Sequence, residues 1–538
     1  MTKPQEVTLT PGTVPPSMEQ GVTLCASGVN FAPAALLRLL DMMAENHCNV
    51  LMLEAKLESR AHPRANTWPY YTAKQLRRIV NYAESLNIEV IPEVNAPGHM
   101  GTWLENYPEL QLLNSDGVRQ AGRLDISSDA AWEFYRQIID DYLEVFSSPH
   151  FHGGADEYMI SSDYGDYPQL TAAAARRYGS KGQPSDLFYA WINRVNRYLN
   201  ERGRTLRIWN DGLAGKNIEE LDSNIIIECW WDQGERAADL AARGHRLINC
   251  NNALYLSRSE QQFDPDVAKL RADGFSIHSL ANDSGPEQVP PGPALRDAVV
   301  GARVSIWPDT AYFQTDNEVL KQVDPLLRYL DDISAGNEPE TNAVTNREPP
   351  MPKAGEPQVR KIPLLDSLAP GPWRVLPTPD GYYQLIDTGS GQALASVHGA
   401  RHLGVVSEIG ARPSLEAPAD MDTDWRAGRV EAWRRNTQKW ILAGEDGTDI
   451  RLVHALSGLE LNTSGNSSDN GYIDLVEGAH LQVEDGLTGA LHLPEDPPLN
   501  PAGHVQLPPR PPAPGELALY PPRESTITAT LKFKSNFQ

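Results

Sequence analysis

The chain has 538 residues, of which 47 are basic and 71 acidic, giving a formal net charge of -24. Its length exceeds the roughly 250 to 300 residues that one hydrophobic core supports, so at least two domains are expected. Apolar residues make up 40% and charged residues 22% of the chain, which excludes a largely disordered protein. The net negative charge would repel nucleic acid and anionic lipid, so a neutral partner fits best.

No stretch approaches the roughly 20 apolar residues of a membrane span, and the N-terminus "MTKPQEVTLTPGTVPPS" lacks the apolar core of a secretory signal. We therefore expect no membrane span and either a cytoplasmic protein or one whose signal was removed. Four cysteines lie beside or inside apolar runs without a CxxC spacing, which predicts buried free thiols rather than disulfides or metal ligands. They are Cys25, Cys48, Cys229 and Cys250.

Residues 1–20 are interpreted as an N-terminal extension, and from residue 21 short apolar runs alternate with amphipathic stretches. The eight runs begin at 21 (GVTLCAS), 48 (CNVLMLEAK), 88 (IEVIPEVN), 150 (HFHGGADEY), 205 (TLRIWNDG), 224 (NIIIECWW), 245 (HRLINCNNALYL) and 299 (VVGARVSIW). Amphipathic stretches such as "TAKQLRRIVNYAESLN", "AAWEFYRQIIDDYLEVF" and "DLFYAWINRVNRYLNERG" separate them. This alternation predicts an α/β fold, a (β/α)8 TIM barrel over residues 21–335, with its chemistry at the carboxyl ends of the strands.

Residues 336–366 are rich in Pro, Glu and Asn without apolar periodicity, which predicts an extended linker. Beyond it, short strand-like runs separated by Gly, Ser and Asp turns continue without a convincing helix. A smaller all-β domain is therefore predicted over residues 367–538.

The fourth apolar run ends in His152-Gly153-Gly154-Ala155-Asp156-Glu157. Neighbouring residues on a regular strand point to opposite faces, so both carboxylates address one pocket only if the strand ends here, which the glycines permit. Two crowded carboxylates do not ionise equally, so we expect one to keep a raised pKa and serve as the acid while the other stays anionic. An isolated Asp-Glu pair is more often a solvated strand end, and its context decides between the two interpretations.

That context is aromatic, because other predicted strands end in tryptophan. These residues are Trp209, Trp230, Trp231 and Trp307. Each alone would be more typical of a core, but four at one rim favour a pocket for a sugar, whose C–H faces pack on aromatic rings.

These residues resemble glycoside hydrolase family 20. The segment "HFHGGADEY" is similar to the family's His-x-Gly-Gly-Asp-Glu signature, although Ala155 is inserted before the acidic pair. The segment "IPEVNAPGHM" at 91 is similar to its Pro-Glu-Ile-Asp-x-Pro-Gly-His loop, and residues 123–146 resemble the segment that leads into the catalytic strand. The matches span the predicted barrel.

The resemblance implies a retaining mechanism in which the substrate's own 2-acetamido oxygen is the nucleophile. Glu157 would then protonate the glycosidic oxygen and later activate water, while Asp156 would orient the acetamido N–H and stabilise the oxazolinium intermediate. Tyr255, at the end of the seventh run, would donate its hydroxyl to the acetamido oxygen. His99 would support the carboxylates, although a locally satisfied loop histidine is an equal alternative.

The resemblance also implies that Trp209, Trp230 and Trp307 enclose the sugar, with no metal and no cofactor. The implied partner is an oligosaccharide or glycoconjugate containing N-acetylhexosamine. A glycan substrate favours a secreted or cell-surface protein, and the oligomeric state is not indicated by the sequence.

Two departures from the family pattern concern the substrate. Gln20 stands where many members have an arginine that grips the 3- and 4-hydroxyls of a terminal sugar, and Asp309 stands where they have a glutamate. Both changes predict a larger pocket at the far end of the sugar. They resemble the lacto-N-biosidases of the family, which release Galβ1-3GlcNAc, and a simple exo-β-N-acetylhexosaminidase is the alternative.

The second domain contains Gln438-Lys439-Trp440 and a repeated Ser-Gly-x-x-Leu at Ser390 and Ser457, which resemble a ricin-type β-trefoil. Since such Gln-x-Trp residues belong to the trefoil core, no sugar ligand is assigned to them. Two other classes of function remain as alternatives. One is a non-catalytic carbohydrate-binding protein, and the other is a metal-dependent hydrolase using His152 with the two carboxylates.

Overall fold

The computed structural model describes two main parts of the chain. The first is residues 18–335, apart from 27–30, 32, 67–69, 160–163, 214–215, 232–233, 259–261, 282–292 and 309–313. The second is residues 358–461, apart from 361–368, 370, 398–411, 423–428, 444–450 and 456–458. Three short pieces follow at 475–477, 518–519 and 527–528.

Eight parallel strands form a closed barrel, because the first strand pairs with the last as well as with the second. They are β1 (Glu19–Ala26), β2 (Val50–Ala55), β3 (Glu89–Ala96), β4 (His150–Gly154), β5 (Thr205–Trp209), β6 (Ile226–Cys229), β7 (Leu247–Asn249) and β8 (Val299–Trp307). The predicted TIM barrel is confirmed, and all eight strands fall inside or overlap the predicted apolar runs.

Helices cover the outside of the barrel. They are α1 (Pro33–Glu45), α2 (Ala73–Ser85), α3 (Gly101–Leu104), α4 (Asp129–Leu143), α5 (Pro168–Tyr178), α6 (Pro184–Asn200), α7 (Ala237–Ala242), α8 (Val267–Ala272), α9 (Pro293–Ala298) and α10 (Asp316–Ser334). The described residues between β5 and β6 contain no helix. Elsewhere the connections follow the expected alternation of strand and helix.

Helix α2 illustrates why the amphipathic stretches fold as predicted. Thr72 caps its first turn in a capping box with Gln75, which satisfies two backbone N–H groups. The buried residues recur at helical spacing and pack on the barrel. They are Leu76, Ile79, Val80 and Ala83.

Below the carboxyl ends of the strands, charged side chains of different strands contact one another in the barrel interior. Arg207 pairs with Glu19 at 2.8 Å, and Arg303 pairs with Glu228. The ring nitrogens of His152 lie 3.0 Å from Glu93 and 3.4 Å from Glu228. These contacts link strands across the barrel interior and place a cation beside the buried carboxylates of Glu19 and Glu228.

The four cysteines are free, as predicted, with Cys48, Cys229 and Cys250 buried and Cys25 partly exposed. A small antiparallel hairpin, Gln111–Leu113 with Arg119–Leu124, follows β3 and packs over the loop that carries His99. No helix among the described residues is long and apolar enough to cross a membrane.

The second part is an antiparallel sheet, so the predicted separate β-rich region is confirmed. Its strands are Gln358–Arg360, Trp373–Pro377, Tyr383–Asp387, Ala393–Val397, Arg412–Glu416, Trp440–Ala443, Arg451–His454, Leu459–Leu461 and Leu475–Glu477. The first of these lies within the predicted linker, so the sheet begins before the predicted boundary. The expectation of no helix was wrong, since Arg429–Asn436 is helical.

Gln438 and Trp440 are core residues of this sheet, as expected. The Gln438 side-chain oxygen accepts hydrogen bonds from the Ala419 backbone and from Gln384, and its side-chain nitrogen donates to Ala417. Trp440 is fully buried and donates to the Leu394 carbonyl. The ricin-type trefoil itself remains a prediction, because much of the repeat lies outside the described residues.

The barrel and the sheet meet at the N-terminus of α10. Thr315 caps that helix with Glu318, and its hydroxyl donates to Asp380 of the sheet at 2.9 Å. Lys439, the middle residue of the Gln-x-Trp motif, lies 2.6 Å from Asp380, while Arg435 pairs with Glu318 at 2.9 Å. The predicted second domain is therefore joined to the barrel by buried ion pairs.

Candidate active site

The acidic pair lies where β4 ends and the backbone leaves the extended conformation. Gly154, Ala155 and Glu157 have φ of 70°, 71° and 51°, in the left-handed region. A Cβ on Gly154 would lie 2.0 Å from Asn95 Oδ1, so only glycine fits here. Left-handed backbone at Ala155 and Glu157 is costly and is typical of functional sites. These turns bring the carboxylates of Asp156 and Glu157 to the same histidine.

That histidine is His99, in the loop after β3. Its Nε2 lies 3.0 Å from Glu157 Oε2 and 3.5 Å from Asp156 Oδ2. The preceding Gly98 permits this approach, because a Cβ there would lie 2.7 Å from the Asp156 carbonyl oxygen. Of the two interpretations of His99, the supporting position beside the carboxylates therefore agrees with the geometry.

The two carboxyl groups differ in pKa, but the raised pKa does not belong to Glu157, the residue expected to act as the acid. Burial raises the pKa of Asp156 to about 7, and neighbouring carboxylates add to the shift while His99 opposes it. Burial also disfavours ionised Glu157, but the hydrogen bond and charge of His99 outweigh it and lower the Glu157 pKa. The carboxylates in turn hold the pKa of His99 well above its usual value in spite of burial. In the free site, the higher carboxyl pKa thus belongs to Asp156.

Aromatic side chains form a continuous wall beside the acidic pair. Trp230 stacks on Tyr255 with ring centroids 5.9 Å apart, Tyr255 contacts Trp307 at 5.7 Å, and Trp307 contacts Trp209 at 5.9 Å. We call these four residues the aromatic wall. Trp209 is buried and donates its indole N–H to Glu93 in the barrel interior at 2.9 Å. The structure therefore brings the predicted aromatic residues together.

Several buried polar atoms in and around the site lack a hydrogen-bond partner of acceptable geometry. Among them are Asp156 Oδ1, the Tyr255 hydroxyl and Trp307 Nε1. Buried polar groups are normally satisfied, so a group of unsatisfied ones in an aromatic pocket points to a ligand that satisfies them. An acceptor and two donors suit an acetamido group and sugar hydroxyls.

The sequence predicted that Tyr255 ends a continuous seventh strand, and this prediction was wrong. Strand β7 stops at Asn249, and after a turn a separate strand, Tyr255–Arg258, pairs in parallel with β8. Tyr255 lies opposite Ser305 in this pairing. The interruption places Tyr255 beside the carboxyl end of β8, where its ring contacts Trp307.

Gln20 is not in the site, so its predicted contact with substrate is corrected. Side chains alternate along β1, and Glu19 points into the barrel, where it pairs with Arg207, while Gln20 points outward. The Gln20 amide donates to the Asn46 carbonyl at 2.8 Å and to Asp331 of α10 at 3.3 Å. It also lies near the amino end of β1, away from the carboxyl rim. Asp309 lies outside the described residues.

Two acidic residues of the site were missed in the sequence. Asp211 follows β5 and accepts hydrogen bonds from the Glu157 backbone N–H and from Trp230 Nε1, both at 2.9 Å. Glu54 lies near the carboxyl end of β2, where burial and the charge of Glu93 raise its pKa to about 8. The sequence did contain a signal for both residues. Each is acidic and lies at or beside the carboxyl end of a predicted strand, where the active sites of such barrels lie.

A metal-dependent site built on His152 does not agree with the geometry. His152 is fully buried in the barrel interior, where its two ring nitrogens face Glu93 and Glu228. Within the described part of the chain, no group of three His, Cys, Asp or Glu side chains is arranged to hold a metal ion.

Comparison with known proteins gives a match over the barrel. Residues 27–325 match the model for "Glycosyl hydrolase family 20, catalytic domain". The chain is 38% identical over 466 residues to a lacto-N-biosidase of Bifidobacterium bifidum, an alignment covering 83% of this chain and 41% of that protein. It is 26% identical over 242 residues to beta-hexosaminidase subunit A2 of Dictyostelium discoideum, covering 43% of each. The chain thus spans less than half the length of these relatives.

A solved structure supports the fold. The GH20 exo-β-N-acetylglucosaminidase of Vibrio harveyi, in complex with N-acetylglucosamine, superposes with a TM-score of 0.50 at 16% identity. The superposition covers 62% of this chain and 56% of that one.

Proposed function

The chain belongs to glycosyl hydrolase family 20, and from this premise we propose that it is a retaining glycosidase that cleaves β-N-acetylhexosaminides by substrate-assisted catalysis. The observation that carries the proposal is the arrangement of Asp156 and Glu157 around His99, beside the aromatic wall and its unsatisfied buried polar atoms. The proposed partner is a glycan or glycoconjugate that contains N-acetylhexosamine.

Two of these polar atoms, on Asp156 and Tyr255, have a role in this mechanism. Asp156 Oδ1 accepts the acetamido N–H and stabilises the positive charge that develops on the ring formed by the 2-acetamido group. The Tyr255 hydroxyl donates to the acetamido oxygen and aims it at the anomeric carbon. The acetamido methyl and the sugar face pack on the aromatic wall.

Glu157 supplies the proton to the glycosidic oxygen. In the free site this proton resides on His99, which is 3.0 Å from Glu157 and has a raised pKa. A sugar bound over Glu157 removes water from its carboxylate, which favours the neutral acid and draws the proton from His99 to Glu157. The pair therefore stores the proton that the leaving group needs and recovers it from water in the second step.

For the substrate, we infer release of the disaccharide Galβ1-3GlcNAc. The main support is the 38% identity to a protein named lacto-N-biosidase over 83% of this chain. A second support is Asp309, whose carboxylate is one methylene shorter than the family's glutamate. Gln20 no longer contributes, because its side chain points out of the barrel. The alternative is an exo-β-N-acetylhexosaminidase that releases a single sugar.

Comparing kcat/KM for an aryl β-GlcNAc and for the matching aryl Galβ1-3GlcNAc glycoside tests the substrate. Polar groups left unpaired without galactose cost about 1 to 3 kcal/mol each, so a preference of about 10²-fold for the disaccharide is expected. Equal or better hydrolysis of the monosaccharide glycoside would favour the exo-hexosaminidase. Asp309→Glu should move the preference toward the monosaccharide, with Gln20→Arg as a matched change outside the site.

A further inference from the structure

Asp211 connects the two sides of the site through one carboxylate. Its Oδ2 accepts the backbone N–H of Glu157, and its Oδ1 accepts the indole N–H of Trp230, both at 2.9 Å. The next residue, Gly212, fits only as glycine, because a Cβ there would lie 2.8 Å from the Ala155 carbonyl oxygen. The turn after β5 is therefore packed directly against the acidic turn after β4.

The hydrogen bond to Glu157 acts at a backbone position that needs support. Glu157 has a φ of 51°, which a glutamate adopts at a cost and keeps only where its surroundings hold it. The carboxylate of Asp211 anchors the N–H of this residue. A shift of this backbone would move the Glu157 carboxylate away from His99 and from the glycosidic oxygen.

The second hydrogen bond fixes the aromatic wall. Trp230 is partly exposed and stacks on Tyr255. Since the indole is held by the same carboxylate that holds Glu157, the proton donor and the wall keep a fixed mutual position. We propose that Asp211 is a positioning residue of the active site, which couples the backbone of Glu157 to Trp230 and places a negative charge beside the catalytic pair. This inference rests on the proposed function.

The negative charge of Asp211 also affects the pKa of Asp156. The ionisable groups that bear on Asp156 come from several elements around it. They are His99, which lowers its pKa, and Asp211, Glu157 and Glu93, which raise it, with Glu54 close by. Burial raises the pKa of Asp211 itself to about 6, against the hydrogen bonds from Trp230 and Glu157. Removing the Asp211 charge should therefore lower the pKa of Asp156.

The test is Asp211→Asn, with kcat/KM of an aryl 2-acetamido-2-deoxy-β-glycoside measured from pH 4 to 9. The amide keeps the shape but can accept only one of the two N–H groups, so kcat should fall by roughly 10- to 100-fold. The acidic limb of the profile should move to lower pH, because Asp156 ionises more easily without its neighbour. A purely structural role would reduce activity without moving this limb.

Asp186 provides a matched control. It is a fully buried carboxylate that accepts the backbone N–H groups of Ile218 and Glu219 at 2.6 and 3.2 Å, outside the site. Asp186→Asn should lower thermal stability and leave the position of the acidic limb unchanged.

If Asp211→Asn does not fold, Asp211→Ser carries the same test, since it also removes the charge and can accept one N–H group. Failure of both variants to fold would assign Asp211 to folding and overturn the inference, as would an acidic limb that stays in place. Absence of wild-type hydrolysis would instead count against the proposed function. The two failures are therefore distinguishable.

Discussion

His99 Nε2 lies 3.0 Å from Glu157 Oε2, and the same atom is 3.5 Å from Asp156 Oδ2. One imidazole therefore faces both carboxylates, and its positive charge lowers the pKa of each relative to what burial alone would produce. This contact gives His99 a direct influence on the pH range in which the site is active.

Replacing His99 by Asn should move the acidic limb of the kcat/KM profile to higher pH. The proposed mechanism needs ionised Asp156, whose pKa is about 7 with His99 present and rises when the cation is lost. This shift is opposite in sign to the one expected for Asp211→Asn. The profile reports the free enzyme and is measured between pH 4 and 10. An unmoved or lowered acidic limb would contradict the electrostatic role of His99.

The two carboxylates should respond differently to the leaving group. Glu157→Gln removes the proton donor, so the loss should reach about 10²- to 10⁴-fold with poor leaving groups and be smaller with acidic phenols. Asp156→Asn removes a stabilising charge and should lose rate whatever the leaving group. For each variant, a series of aryl glycosides gives the slope of log kcat/KM against the pKa of the leaving group. Equal slopes for the two variants would refute this division of roles.

The junction between barrel and sheet should contribute to stability. Lys439→Met removes the cation 2.6 Å from buried Asp380 and should cost about 3 to 5 kcal/mol of the free energy of unfolding. With Lys439 present, its charge overcomes the effect of burial and lowers the pKa of Asp380. Without it, burial favours the neutral acid, so stability is lost as pH rises, and the deficit should be larger at pH 8 than at pH 4.

Lys269→Met is the matched control for this measurement. Lys269 pairs with Asp273 one turn away on the exposed face of α8, and such surface pairs contribute about 1 kcal/mol or less. The free energy of unfolding of both variants, measured by thermal and denaturant unfolding at pH 4 and pH 8, tests this prediction. A Lys439 deficit no larger than that of Lys269, or one that shrinks with rising pH, would contradict a stabilising ion pair at the junction.

The barrel was predictable because its local signals agree with one another. The amphipathic stretch at 72–87 has a capping residue at Thr72 and apolar residues at helical spacing, and α2 forms there. The helix Arg429–Asn436 was missed because it is short and highly charged, so it has little apolar periodicity to detect.

The site was predictable only in part. Asp156, Glu157 and the tryptophans of the aromatic wall follow from their position at or beside strand ends, where a barrel brings them together, whereas Tyr255 begins a separate strand. Gln20 was misassigned because motif alignment ignored the alternation of side chains along β1, which turns it toward α10. Asp211 was missed although it follows a predicted strand, because its contacts with Glu157 and Trp230 join residues that are far apart in the sequence.

In the proposed mechanism, the 2-acetamido group of the substrate is the nucleophile. The most direct test of this mechanism compares hydrolysis of an aryl 2-acetamido-2-deoxy-β-glycoside with that of the matching 2-hydroxy glycoside by the same enzyme. We expect turnover of the first, competitive inhibition by a thiazoline analogue of the intermediate, and no measurable turnover of the second. Comparable hydrolysis of the 2-hydroxy glycoside would contradict the mechanism.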